Sequence, residues 1–219
     1  MAKRFIVMLV FLTVVFAATI SSAAIVSLTF PGVSDGLSVT VYNPGTGRSA
    51  NTWAGIYPAV IGGATYNGYC AEPQTIPVGT TANYDLQPIP EGSGFEAAAW
   101  VLSQNYTGAM AQAAQIAVWE LTWDYQVGKS FSLTADNFRL LNPSSSANPT
   151  LWTNATNIYN AALAGIGSGF DQSGYSLAVN AQYQDFVVAY AAPVPIPAAA
   201  WLLGSGLVGL VAIRRRVRK

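Results

Sequence analysis

From Ala24 onward the chain alternates apolar and polar residues twice in succession, over Ala24–Phe30 and Gly36–Tyr42. A period of two puts every second side chain on one face of an extended strand. Pro31-Gly32 and Asn43-Pro44-Gly45 break these runs where turns are needed. Thr52–Val60 predicts a third strand closed by Gly62-Gly63, and Thr65–Cys70 a short fourth that ends on the cysteine. Ala71–Gly92, rich in Pro, Thr and Asn, predicts a loop. The pattern then becomes helical. Phe95–Asn105 predicts a helix with Ser93 or Gly94 at its N-cap. Ala109–Tyr125 predicts a second, and Thr153–Ala164 a third that Gly165 and Gly167 end. Lys129–Ser146 predicts irregular chain. Ser176–Ala192 alternates again, Leu177, Val179, Ala181 and Tyr183 against polar neighbours, and predicts closing strands. Strands, then helices, then strands predict an α+β domain, a β-sandwich or barrel with an inserted helical subdomain of about three helices.

The second helix carries the rest. Met110, Ala114, Ala117, Val118 and Leu121 share one side, while the other holds Gln115, Ile116, Trp119 and Trp123. A helix apolar around most of its girth belongs in a core. Gln115 is then a carboxamide in apolar surroundings, where it needs hydrogen-bond partners or a chemical use. Cys70 is the only cysteine, so it makes no internal disulfide. Taken singly, Cys70 reads as a small buried hydrophobe and Gln115 as a hydrogen-bonded helical amide.

Taken together they have a joint solution, a thioester between the two side chains. Gly68-Tyr69-Cys70, followed by Ala114-Gln115-Ile116-Ala117-Val118-Trp119, resembles the thioester domains of bacterial surface adhesins. Trp53-Ala54-Gly55-Ile56 resembles a strand upstream of the cysteine in such proteins. The family's helix usually has Thr where this chain has Ala114. The resemblance covers roughly 53–124. It implies a bond between Cys70 and Gln115 that needs no cofactor and passes its acyl group to an amine on a target. Such a bond must be kept from water, and Tyr69, Trp100, Trp119 and Trp123 are the expected cover.

Both ends of the chain carry addresses. Residues 1–24 form a signal peptide: Lys3 and Arg4, the apolar run Phe5–Ile20, and small residues at Ser22-Ala23-Ala24. At the other end, Pro193-Val194-Pro195-Ile196-Pro197 precedes the sixteen-residue apolar span Ala198–Ile213 and a basic tail of Arg214, Arg215, Arg216, Arg218 and Lys219 around Val217. A helix of that span reaches about 24 Å, against the ~30 Å of a bilayer's hydrocarbon core. Local thinning or flanking residues must cover the gap, with the basic tail cytoplasmic. The wording VPIPAAAWLLGSGLVGLVAIRRR closely resembles a PEP-CTERM sorting signal. That resemblance implies an exosortase-type processing enzyme as partner. The membrane anchor would then be transient, and the destination the surface or extracellular matrix of a Gram-negative cell.

Charge looks different once these ends are set aside. Residues 25–192 hold the cations Arg48, Lys129 and Arg139 against ten carboxylates, a formal charge of −7. Such a domain lacks the basic footprint that nucleic acid or anionic lipid requires. The 168 residues suffice for one domain. The chain has no histidine, which excludes Ser-His-Asp and Cys-His catalysis and histidine-ligated metals. Glu120 with Asp124, and Glu91 with Glu96, set no spacing across a sugar ring for glycoside cleavage. Asp136-Asn137 lacks the calcium-loop pattern. The expectation is a non-enzymatic adhesin attaching to amines of a protein or polysaccharide matrix. The alternative is a non-reactive matrix or carbohydrate-binding module, which the abundant Trp and Tyr would suit.

Overall fold

The computed structural model describes residues 24–43, 47–72, 78–125, 131–135, 137–142 and 148–192. The sorting segments therefore fall outside the described residues, apart from Ala24. None of the described helices is long and apolar enough to cross a membrane. The fold is α+β. Ten strands are described: β1 Ala24–Thr29, β2 Ser34–Asn43, β3 Arg48–Ile56, β4 Ala59–Ile61, β5 Ala64–Tyr66, β6 Gly68–Cys70, β7 Thr81–Pro88, β8 Arg139–Asn142, β9 Ser176–Val179 and β10 Phe186–Val188. Three helices are described: α1 Gly94–Ser103, α2 Gly108–Asp124 and α3 Pro149–Gly167.

Seven strands make one antiparallel sheet in the order β5-β4-β1-β7-β9-β10-β6. Its first and last strands are separated in sequence by Asn67 alone, so the sheet curls until its two ends meet. The backbone N–H of Ala189 donates to Asn67 at 2.9 Å and that of Tyr57 to Gly68 at 2.9 Å, pinning this seam. The result is a nearly closed barrel. The chain leaves it after β7 and returns at β9, which pairs directly with β7. The helices are thus an insert between two neighbouring staves. A second sheet, β3-β2-β8, packs against α2.

Four elements differ from the sequence reading, among them the expected strand 65–70, which is the two short strands β5 and β6 with Asn67 between them. The supposed loop 71–92 contains β7, which pairs with β1 over six residues from Ala24↔Leu86 to Thr29↔Thr81. Its Tyr84 and Leu86 are buried while Thr81 and Asn83 face outward. That alternation was present in the sequence, hidden among turn-forming residues. The supposedly irregular 129–146 contains β8, a four-residue strand of which Arg139, Leu140 and Asn142 pair with β2. The expected strand 52–60 is two, with Tyr57-Pro58 between them, because proline has no N–H for the ladder.

The helices start as their caps dictate. The Ser93 hydroxyl accepts from Glu96 N–H, and the Glu96 carboxylate accepts from Gly92 N–H at 2.6 Å, a reciprocal box at the head of α1. Asn148 caps α3, accepting from Leu151 N–H at 3.0 Å. Contact between helices depends on two missing methyl groups. A Cβ on Gly94 would meet the Leu121 carbonyl oxygen at 1.8 Å, and one on Gly165 would meet the Trp100 indole at 2.0 Å. Those glycines let α1 lie against α2 and α3.

Helix α2 is buried from Ala111 to Leu121 on nearly every side, as its sequence predicts. Two of its acids are buried too, and both hold the chain that follows. Glu120 accepts from Ser132 N–H at 2.9 Å. Asp124 accepts from Asn137 and Phe138 N–H at 3.0 and 2.6 Å. Their i, i+4 spacing therefore serves loop capping. Inside the barrel, Phe30 stacks on Phe186 with centroids 3.9 Å apart, and Tyr57 and Tyr84 lean on the same Phe186 ring.

A candidate thiol–carboxamide site

Cys70 ends β6, the last stave of the barrel, with Phe186 of β10 as its cross-strand partner. Pairing continues one residue further, where Ala71 N–H donates to the Asp185 carbonyl at 2.8 Å. Alternate backbone groups of β6 thus face β10, and those of Cys70 itself face the open edge. The side chain of Gln115 from α2 fills that edge. Its Oε1 accepts from Cys70 N–H at 2.9 Å, and its Nε2 donates to the Cys70 carbonyl at 2.8 Å. Thr122 Oγ1 and Trp123 Nε1, a further two turns along α2, donate to the Ala71 carbonyl at 2.6 and 3.0 Å. Helix α2 therefore grips the end of β6 through three side chains.

The sulfur looks elsewhere. Cys70 Sγ lies 2.7 Å from Gln184 Oε1 and 2.8 Å from the Glu72 carbonyl oxygen. A thiol has one proton, so it donates to one of these oxygens at a time while the other approaches the sulfur itself. The carbonyl carbon of the Gln184 amide is one bond beyond its oxygen. Cys70, Gln115 and Gln184 are all 0% exposed. The turn ahead of β10 sets Gln184 in place: Asn180 Oδ1 accepts from Gln182 and Tyr183 N–H at 2.7 and 2.9 Å, and Asp185 Oδ1 accepts from Asn180 N–H at 2.9 Å. A short polar side chain folding back on the following N–H groups is how asparagine makes a tight turn. The same turn walls a polar cleft of about 450 Å³, with Thr81, Ala82 and Asn83 opposite.

The carboxamide hydrogen-bonded to the sulfur is therefore not the one that the sequence singled out. Gln115 does meet Cys70, but its carboxamide is committed at both ends to the Cys70 backbone. The carboxamide on the sulfur is that of Gln184. The expected cover also changes. Trp123 touches the site through its hydrogen bond to Ala71. Trp119 is buried behind α2, tilted on Phe138 with centroids 5.7 Å apart. Trp100 lies between helices against Gly165. Tyr69 points from the opposite face of β6, toward Tyr106 and Asp35, which add to burial in holding its hydroxyl neutral. The aromatic surroundings of the sulfur are instead Tyr57, Tyr84 and Phe186. Burial raises the phenol pKa of Tyr57 and of Tyr84, and a negative charge on Cys70 would raise both further.

Two acids complete the site. Burial, then the charge of Asp185, pushes the Glu72 carboxyl above its ordinary range. Burial likewise raises Asp185, opposed by its hydrogen bond from Asn180. Among the described residues no cluster of His, Cys, Asp and Glu could hold a metal ion. No family model, curated protein or solved structure matches this chain.

Proposed function

We propose that this protein attaches covalently to amine-bearing targets through a thioester between Cys70 and Gln184. The single observation that carries the reading is the 2.7 Å approach of the Cys70 sulfur to the Gln184 carboxamide in a site closed to water. Formation is a balanced exchange. The sulfur bonds to the Gln184 carboxamide carbon, the C–N bond breaks, and the amide nitrogen leaves with the thiol proton as ammonia. A target amine then attacks the same carbon. The C–S bond breaks, an amide joins Gln184 to the target, and the proton the amine loses returns the sulfur to a thiol.

Gln115 has the supporting role. Holding Cys70 by its N–H and C=O, it fixes the backbone from which the sulfur projects. Orientation of this kind converts a slow encounter into a fast intramolecular step. Burial among Tyr57, Tyr84 and Phe186 excludes the competing nucleophile, water. The resemblances at the two ends of the chain support export and sorting to the cell surface, where amines of protein or polysaccharide are at hand. The polar cleft beside the Gln184 turn suits a hydrophilic bearer of such an amine.

Intact-mass measurement of freshly purified protein tests the bond. One ammonia should be missing, and the deficit should vanish in Cys70→Ala and in Gln184→Ala. Methylamine should replace the deficit with its own addition and release one titratable thiol. Full mass together with a freely titrating Cys70 would sink the reading and leave a non-reactive matrix module. A deficit that survives Gln184→Ala and disappears in Gln115→Ala would return the bond to Gln115.

A further inference from the structure

Four residues join α1 to α2, and this connection contains the run Asn105-Tyr106-Thr107. Asparagine followed two residues later by a hydroxyl is the tripeptide at which oligosaccharides are joined to exported proteins. The chain has it once more, as Asn154-Ala155-Thr156, while proline blocks it at Asn142-Pro143-Ser144 and Asn148-Pro149-Thr150. The fold treats the two unblocked copies very differently.

Asn154 lies inside α3. Ala155, between the two recognised residues, is fully buried, and Thr156 Oγ1 donates to the Trp152 carbonyl at 2.9 Å. An enzyme would have to unwind the helix to grasp this copy, and its hydroxyl is already engaged.

Asn105 and Thr107 are both exposed. Asn105 takes a left-handed φ of 53° just past the end of α1, a conformation that asparagine tolerates better than most residues. Its Nδ2 donates one hydrogen to the Ser103 carbonyl at 3.1 Å, leaving the other hydrogen and Oδ1 without a partner among the described residues. The end of a helix thus accounts for Asn105. It does not account for Thr107. That residue occupies the N-cap of α2, where a threonine hydroxyl ordinarily accepts from the first turn, yet its side chain makes no capping bond. Asp35 serves that end of the helix instead, accepting from Gly108 N–H at 2.6 Å. The Thr107 hydroxyl is left in solvent, two residues from an exposed carboxamide.

We propose that Asn105 is a glycosylation site of the exported protein. Its Nδ2 bonds to C1 of the first sugar of an oligosaccharide carried on a lipid diphosphate. The bond from C1 to the diphosphate oxygen breaks, the lipid diphosphate leaves, and the amide nitrogen gives up one proton. The Thr107 hydroxyl is the feature by which the transferring enzyme selects this asparagine. The proposal rests on export of the chain and is independent of the thioester.

Protein recovered from the surface of the cells that make it, cleaved after glutamate and weighed, tests the site. Cuts after Glu96 and Glu120 place Asn105 and Asn154 on different peptides. Peptide 97–120 should carry the mass of an oligosaccharide, and the peptide holding Asn154 should not. Asn105→Gln and Thr107→Ala should each abolish the added mass, Thr107→Ser should keep it, and Asn154→Gln should change nothing. Because Thr107 makes no capping bond, Thr107→Ala should leave the thermal midpoint where it is, so that loss of the glycan reports recognition and not unfolding. Cys70→Ala should be glycosylated as before. An unmodified peptide 97–120, a glycan on Asn154, or a glycan that persists in Thr107→Ala would overturn the proposal. Absence of the chain from the surface would overturn it as well.

Discussion

The Gln115 side chain pairs with the backbone of Cys70 as a neighbouring strand would, accepting from its N–H at 2.9 Å and donating to its carbonyl at 2.8 Å. Strand β6 is three residues long and has a partner strand on one side only. A single carboxamide therefore supplies the second neighbour at the residue where position matters most. No strand could do so there, because α2 occupies the space.

Replacing that amide should be costly. Gln115→Leu keeps much of the volume but strands one buried donor and one buried acceptor, each worth about 1–3 kcal/mol when left unmade. A loss of roughly 2–5 kcal/mol is expected in denaturant unfolding. Any ammonia deficit should form more slowly without being abolished, since Gln184 is untouched. A loss under ~1 kcal/mol would mean that water replaces the amide and the edge is open.

Trp119→Ala should cost about 3–5 kcal/mol, the usual range for deleting a large buried aromatic. The indole is fully buried against Phe138, and its N–H finds no hydrogen-bond partner among the described residues, so packing is the contribution they reveal. Chemical denaturation of the single variant measures this directly. A change below ~1 kcal/mol would contradict the placement of α2.

Two glycine substitutions should differ in sign. Gly94→Ala drives a methyl group into the Leu121 carbonyl, a backbone atom with no freedom to turn aside, and should cost at least ~1–3 kcal/mol. Gly167→Ala, in the last turn of α3, meets nothing within 4 Å and should be neutral or stabilising by up to ~1 kcal/mol. Thermal unfolding of the pair checks whether α1 and α2 approach as closely as described.

Acidification should stabilise the fold within a defined window. Glu72 and Asp185 both have folded pKa values above their unfolded ones, chiefly through burial. For such groups the contribution is complete below the unfolded pKa and is lost as pH rises through the folded one. Thermal midpoints should therefore rise as pH falls from neutrality toward the ordinary carboxylate range. Asp171, lowered by hydrogen bonds from Ser173, acts in the opposite sense only at lower pH and is fully exposed. Glu72→Gln combined with Asp185→Asn should flatten the profile. An unchanged slope in that double variant would show that the two carboxyls remain solvated.

The barrel, the helical insert and the buried character of α2 were legible because each is a periodic signal in consecutive residues. That Gln115 needs a buried partner was legible too, but only the resemblance to thioester domains pointed to Cys70. Gln184 was not singled out. It directly follows the short polar stretch Asn180-Ala181-Gln182-Tyr183 that folds into a turn, where a glutamine looks like solvent-facing chain. Only the return of β10 beside β6, over a hundred residues from Cys70, brings its amide to the sulfur. Strand β7 was obscured differently. Its alternating Tyr84 and Leu86 are flanked by Thr, Asn and Pro, and local turn chemistry masked a pattern that pairing with β1 makes decisive. The indoles of Trp100 and Trp119 pack against Gly165 and Phe138, which the sequence does not reveal for a similar reason: helical spacing tells which residues are buried, but not against what.

The position of Gln184 in the chain also determines how the molecule would carry a load. It lies two residues before β10, the last of the described strands, and eight residues before Ala192, where the described domain ends. A target joined to Gln184 and pulled against an attachment beyond Ala192 would draw tension along that short segment. The rest of the barrel and all three helices lie outside this path. Force would run as shear along β10, which has β9 on one side and β6 on the other. Unfolding of the helical insert would then lengthen nothing between target and tether, and the connection would give only as far as eight residues allow.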